Sequence, residues 1–282
     1  MSTDLHIVNW RHRRHSIGVC VGLMLYTAFA VAPLLWIALM SIKNGADIIS
    51  YPPKFVNFHP TLENYRAIFM LPDFLGPIWN TLKVTIGAVG VSLFIGLPAA
   101  YAIARLRLPA REQIAFAFIS LRFAPELFVI LPLFVLYRTI GLYDTVVGLI
   151  IAYQLITFPL IVWLMRSFYE KIPKELEEAV EVDGGSAFTK FWVLTRTSMT
   201  GIVAAAVLAF IFAWNAYALP LILAGSHTEV ITGAILSFMK FEDVQWGQMA
   251  AGTIVAILPS LVFSALLVGR MVEGFTAGAV KG

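Results

Sequence analysis

The sequence predicts an all-α integral membrane protein with six transmembrane helices, and three observations predict it. Of 282 residues, 59% are hydrophobic and 13% charged, where soluble domains carry about 45–50% and about 25%. That much apolar surface needs lipid as its solvent. Six apolar runs each reach the roughly 20 residues that a membrane helix requires. Lys and Arg also fall unevenly between the two sets of connecting loops, the asymmetry that orients membrane helices. The runs occur throughout the chain, which therefore reads as residues 1–15 of N-terminal segment, a six-span body over 16–272 and a tail over 273–282.

The first run extends from about Ser16 to Ile42 without a charge. It follows Arg11, Arg13 and Arg14, and Ala28-Phe29-Ala30 has the look of a signal-peptide cleavage site. The apolar stretch outlasts a signal core of about 7–15 residues, so an uncleaved helix is expected. The second run is clean from Val84 to Ala104. The third, Gln113 to Tyr137, is interrupted by Arg122 and Glu126. The fourth covers Thr145–Met165, the fifth Thr197–Ala224 and the sixth Val244–Gly269.

With the N-terminus inside, thirteen basic residues share its side: Arg11, Arg13, Arg14, Arg105, Arg107, Arg111, Arg166, Lys171, Lys174, Lys190, Arg196, Arg270 and Lys281. Lys43, Lys54, Arg66, Arg138 and Lys240 lie opposite. The positive-inside rule then places both termini in the cytoplasm. It also accounts for the net charge of +3 without nucleic acid. Each span carries proline (Pro33, Pro98, Pro125 and Pro132, Pro159, Pro220, Pro259). Proline bends helices, which fits a moving pathway and equally fits its general frequency in membrane helices.

The loop from about 168 to 196 is the most informative segment. Pro173 suits a helix start, and Glu175, Glu177 and Glu178 complement the helix dipole there. Gly184 and Gly185 suit its end, and Ser186 suits the N-cap of a following helix. Leu176, Ala179 and Val180 share a face of the first helix, while Phe188, Phe191 and Trp192 edge the second. A short acidic amphipathic element on a rigid turn suits a groove on a cytoplasmic partner. Interfacial helices lying on lipid instead favour Lys and Arg.

Glu178-Ala179-Val180, Asp183-Gly184 and Phe191 resemble the EAA loop of binding-protein-dependent ABC importer permeases, in their maltose-type carbohydrate branch. Asn80-Thr81-Leu82-Lys83, Ala100-Tyr101-Ala102-Ile103-Ala104-Arg105, Trp214-Asn215 and Gly278-Ala279-Val280-Lys281-Gly282 resemble that branch as well. The chain departs from the pattern at Val180 and Gly185, which replace alanines, and at Arg196-Thr197, where Leu-Pro is usual. The resemblance implies a bacterial inner-membrane subunit working with a solute-binding protein outside, ATPase subunits inside and a second homologous permease. It implies that Glu178, Ala179, Val180, Asp183, Gly184 and Gly185 form a coupling helix in an ATPase groove. ATP and Mg would be bound by those partners, with no cofactor in this chain.

Polar groups within the spans are candidate pathway residues. Arg122 and Glu126 are four apart and share a helix face. Buried membrane charges pair with one another or line a cavity, and both readings stay open. Trp214, Asn215 and Tyr217 combine aromatic faces with an amide, which suits a sugar ring and its hydroxyls. An intramembrane asparagine serves helix packing equally well.

Catalysis and metal binding find no support. His6, His12, His15, His59 and His227 lack ligand spacing, and the lone Cys20 forms no disulfide within the chain. No H-E-x-x-H, G-x-S-x-G or P-loop occurs, so nucleotide hydrolysis would require another subunit. An ATP-independent transporter or channel of six spans is the alternative, but it leaves the loop motif unexplained. The long loop from Lys43 to Pro77 reads as a surface loop or a binding-protein contact.

Overall fold

The computed structural model of the protein describes residues 4–71, 74–120, 122, 126–239 and 244–279. Its regular elements are helices: α1 Asp4–Ser41, α2 Gly45–Ile48, α3 Glu63–Met70, α4 Leu75–Arg105, α5 Arg111–Ser120, α6 Glu126–Ile140 and α7 Val146–Ala152. There follow α8 Gln154–Glu170, α9 Glu175–Val182, α10 Ala187–Thr197, α11 Met199–Trp214, α12 Ala218–Leu223, α13 Ile231–Leu236 and α14 Trp246–Ala279.

Among the described residues, three helical segments are long and apolar enough to cross a bilayer: Gly18–Ser41, Leu75–Arg105 and Trp246–Ala265. Two more candidates are bent pairs, α7 with α8 at 43° and α10 with α11 at 72°. The fourth and fifth runs, each of which carries proline, are interrupted helices. In the fourth, the helix breaks at Tyr153, six residues before Pro159, which has no N–H to offer the Leu155 carbonyl. In the fifth, helix ends at Trp214 and resumes only at Ala218. Pro220 is the cause: it cannot donate to the Ala216 carbonyl, which instead accepts from the Thr232 hydroxyl at 3.0 Å. For the third run, the structure shows α5 and α6 on either side of a stretch of which only Arg122 is described.

The chain forms two compact units. One contains residues up to Met70 together with Phe238–Val255. Here the segment after α1 is tied down by its own polar groups. Asn64 donates to the end carbonyls Ser41 O and Lys43 O at 2.9 and 2.7 Å, satisfying acceptors that a helix terminus leaves open. Lys43 is buried, its ammonium lying 5.2 Å from the Trp36 ring and 4.8 Å from Phe58 and donating to Lys54 O. Asn44 caps α2 through Asp47 N at 2.8 Å.

The larger unit holds Leu71–Ser237 and the chain from Ala256 onward. Its centre is α4, packed against α7, α8 and α11. Small residues permit close approach, as expected where lipid removes the hydrophobic drive between helices. A Cβ on Gly96 would meet Ile161 at 3.0 Å, and one on Gly87 would meet Ile150 at 2.5 Å. Polar side chains bind the same helices together. Ser92 Oγ lies 2.5 Å from Gln154 Oε1 and 2.6 Å from Thr157 Oγ1, and Gln154 donates to Ala88 O at 3.2 Å. Large apolar side chains such as Phe94 and Phe128 point outward, fully available to lipid or to another subunit.

Candidate docking loop and translocation cavity

The acidic hairpin is built by its turn. The helix α9 starts at Glu175 with Lys174 as N-cap, so Pro173 stands just ahead of the cap rather than at the first helical position. At its end Asp183 is the C-cap, and Gly184 takes φ +75°, a conformation that glycine adopts without strain. Gly185 N then donates to Val180 O at 2.8 Å, and Gly184 N to Glu181 O at 3.0 Å. Those two bonds define a Schellman motif. Gly185 is required for a second reason: a Cβ there would meet Val180 Cγ1 at 2.5 Å. Ser186 begins α10 by accepting from Thr189 N at 3.2 Å.

The hairpin thus has an inner and an outer face. Leu176, Val180 and Gly185 are half-buried, whereas Glu178, Ala179, Glu181, Val182 and Asp183 are exposed. Val182 is 87% exposed, and Phe188 and Trp192 of α10 are exposed as well. An apolar spot ringed by carboxylates is therefore presented on a rigid turn. Glu181 pairs with Lys190 across the hairpin, and that hydrogen bond raises the Lys190 pKa. Behind it, Arg166 bridges Glu112 at 2.6 Å and Glu170 at 2.8 Å. The Arg166 hydrogen bond holds the Glu112 carboxyl below its usual range.

Arg105, at the end of α4, had no assigned role in sequence beyond its place in a resembling stretch. In the structure its guanidinium is buried beneath the hairpin, 3.1 Å from Glu177 Oε1. It donates to Tyr169 O and, at 2.5 Å, to Ile172 O. Its partners lie more than sixty residues away, so no local pattern points to them.

The pathway candidates divide. Arg122, Asn215 and Tyr217 line one cavity of about 520 Å³, walled by Val129 and Ile130 of α6, Leu155 and Ile156 of α8, and Phe212 of α11. That volume is within the roughly 300–1,000 Å³ typical of ligand pockets. The guanidinium of Arg122 lies 4.5 Å from the Phe212 ring centre. Asn215 sits where the helix is interrupted, donating to Ile211 O at 2.8 Å and Ser260 Oγ at 3.2 Å. Irregular backbone at membrane depth is tolerated where it lines a cavity. Trp214 is turned away from this space: it is buried, stacks on Phe210 and donates Nε1 to Ala256 O at 2.9 Å. The Glu126 side chain, and with it any pairing to Arg122, lies outside what the structure describes.

A further polar cluster had no sequence signal. Asp144, with φ 55°, accepts from the amides of Gly225, His227 and Thr228 and from the Thr228 hydroxyl. Burial alone would raise its pKa, but bonds from Thr228, His227 and Gly225 outweigh that and hold it well below the usual carboxylate range. Asn80 fastens the same loop by donating to His227 O and Glu229 O, both at 3.1 Å.

Known proteins resemble this chain over most of its length. The trehalose transport system permease protein SugB of Mycobacterium tuberculosis (strain CDC 1551 / Oshkosh) is 35% identical over 92% of this chain and 95% of its own length. The inner membrane ABC transporter permease protein YcjP of Escherichia coli (strain K12) is 31% identical over 94% and 96%. In solved structures, a chain of a bacterial ABC transporter involved in the import of the acidic polysaccharide alginate has the same fold. It matches with a TM-score of 0.75 at 22% identity, over 91% of this chain and 96% of that one. Residues 92–269, which include the hairpin and the cavity wall, match the family model described as binding-protein-dependent transport system inner membrane component, and the chain belongs to that family.

Proposed function

We propose that this chain is the permease subunit of an ATP-binding-cassette importer that carries a sugar or related polyol-like solute inward by alternating access. The observation that carries the proposal is the exposed acidic and apolar face of α9, set on a Schellman turn within a chain of this family. The solute class rests on relatives whose names specify trehalose, trehalose/maltose and diacetylchitobiose.

On this reading the six spans are α1, α4, the α5–α6 region, the α7–α8 pair, α11 with α12, and α14, and α10 belongs to the hairpin. The Lys and Arg distribution puts both termini and the hairpin in the cytoplasm. On that side α9 docks into ATPase subunits, which hold ATP and Mg. A second, homologous permease completes the pathway, and a solute-binding protein delivers from the opposite face. ATP drives the cycle because it binds one state of the assembly better than another. The cavity lined by Arg122, Asn215 and Tyr217 is this subunit's part of the route.

The test is affinity purification in mild detergent followed by reconstitution. An ATPase and a second permease co-elute with the chain, and Glu178→Lys or Gly184→Asp releases the ATPase or abolishes uptake while the chain still inserts. Normal uptake and normal stimulated ATP hydrolysis in both variants would refute the docking role. A chain that transports alone would be an ATP-independent carrier.

A further inference from the structure

The helix α9 has no fully buried residue, yet a docked motor must move the membrane helices through it. What joins it to them is short. On its C-terminal side the Schellman turn leads to α10; on its N-terminal side the covalent link is the turn Lys171–Lys174, where Ile172 N reaches Tyr169 O at 3.2 Å and Lys171 N reaches Phe168 O at 3.3 Å. A turn held by two long bonds is a natural pivot. Without a further tie, the motor's push would rock the α9–α10 hairpin about that turn without displacing α8 or α4.

Arg105 spans this pivot. One guanidinium nitrogen donates to Tyr169 O at the end of α8 and to Ile172 O within the turn, while Nε lies 3.1 Å from Glu177 Oε1 of α9 as an ion pair without a hydrogen bond. The side chain is 7% exposed, so solvent screens these contacts little. One turn earlier on α4, Tyr101 lies edge-on to Tyr169 at 5.9 Å and to Phe191 of α10 at 5.5 Å. Tyr169 in turn meets Thr195 Oγ1 at 3.0 Å. Residues 101 and 105 lie on one face of α4, so a single helix face gathers the end of α8, the turn, α9 and α10.

We infer that Arg105 is the positioning residue that makes the docking helix and the end of α4 move as one body, so that motor closure displaces α4 and the helices packed on it. The fork geometry is the reason arginine serves here: a planar guanidinium reaches two carbonyls and a carboxylate together, whereas lysine is a point charge on a flexible stem. Arg105 lies beneath the hairpin, away from the exposed docking face. This inference rests on the docking role proposed for α9, and its test separates the two.

The full complex, with sister permease, ATPases and binding protein, is reconstituted in lipid carrying Arg105→Lys, Arg105→Ala, Glu177→Gln or Glu178→Lys. Both Arg105 variants are expected to retain the ATPase and basal hydrolysis. Stimulation by solute-loaded binding protein should fall about tenfold, within the range of allosteric couplings, and uptake should fall with it. Glu177→Gln, which leaves both carbonyl bonds, is expected to lose less than either. Spin labels at Arg107 and Lys174, on a background lacking Cys20, should keep one separation through the ATP cycle with Arg105 present and two with Arg105→Lys. Wild-type stimulation, or an unchanged label separation, in an Arg105→Lys complex that retains its ATPase would overturn the inference and leave docking intact. Loss of the ATPase from Arg105→Lys would also overturn it, because the residue would then be building the docking surface. Retention of ATPase and coupling in Glu178→Lys would instead refute the docking role itself.

Discussion

Replacing Asp144 should free the loop between α12 and α13, and the size of the effect follows from its bonds. Oδ1 accepts from Gly225 N at 2.9 Å, Thr228 N at 2.9 Å and Thr228 Oγ1 at 2.7 Å. Oδ2 accepts from His227 N at 3.2 Å and lies 2.8 Å from His227 Nδ1. Asp144→Ala removes every acceptor, and at about 1 kcal/mol net per bond, with the weaker Oδ2 contacts discounted, the local loss is about 3 kcal/mol. Asp144→Asn keeps one acceptor oxygen and tolerates the left-handed backbone, so it should lose about 1 kcal/mol. Hydrogen exchange on the purified protein reads these directly. The amides of residues 225, 227 and 228 should lose about 100-fold of their protection in the alanine variant and about fivefold in the asparagine variant. The pH dependence has a fixed sign. A carboxyl held below its ordinary pKa of 3.8 contributes fully above that value and loses its contribution as pH falls below it. Protection corrected for intrinsic exchange should therefore be level from about pH 7 to about pH 5 and fall in acid. Wild-type protection in Asp144→Ala would refute the clamp.

Two further outcomes probe packing and the helix break. A Cβ on Gly201 would sit 2.5–2.7 Å from three atoms of the Phe168 ring, so Gly201→Ala should destabilise the α8–α11 contact by about 1–3 kcal/mol, read as a lower melting temperature in detergent. Thr232→Val leaves the Ala216 carbonyl without its hydroxyl partner and should cost about 1–2 kcal/mol. The increased exchange should centre on residues 216–224, and a change confined to α13 would refute the compensating role.

Much of the membrane architecture is legible in sequence because it depends on composition summed over some 20 residues, which lipid enforces without reference to neighbours. The hairpin is legible for a related reason. Its Schellman turn, its glycines and the Ser186 cap are contacts between residues three to five apart, within reach of local rules. The helix break at Asn215 is half legible: Pro220 announces a disturbed ladder, but only Thr232 shows how the freed carbonyl is satisfied.

Contacts between distant segments had no such signature. Trp214 and Asn215 are adjacent and read alike as solute-facing, yet one is committed to Ala256 and the other opens onto the cavity. That choice depends on where the α14 backbone passes. Asp144 meets the loop at residues 225–228, and Arg105 meets the turn before α9, across separations of more than sixty residues. Sequence by itself determined that the chain is a bundle of apolar helices with an acidic hairpin, because hydrophobic length and turn chemistry are local quantities. Tertiary structure alone decided which polar groups face the cavity and which fasten the bundle, because a hydrogen bond is made by whichever donor the packing brings within about 3 Å.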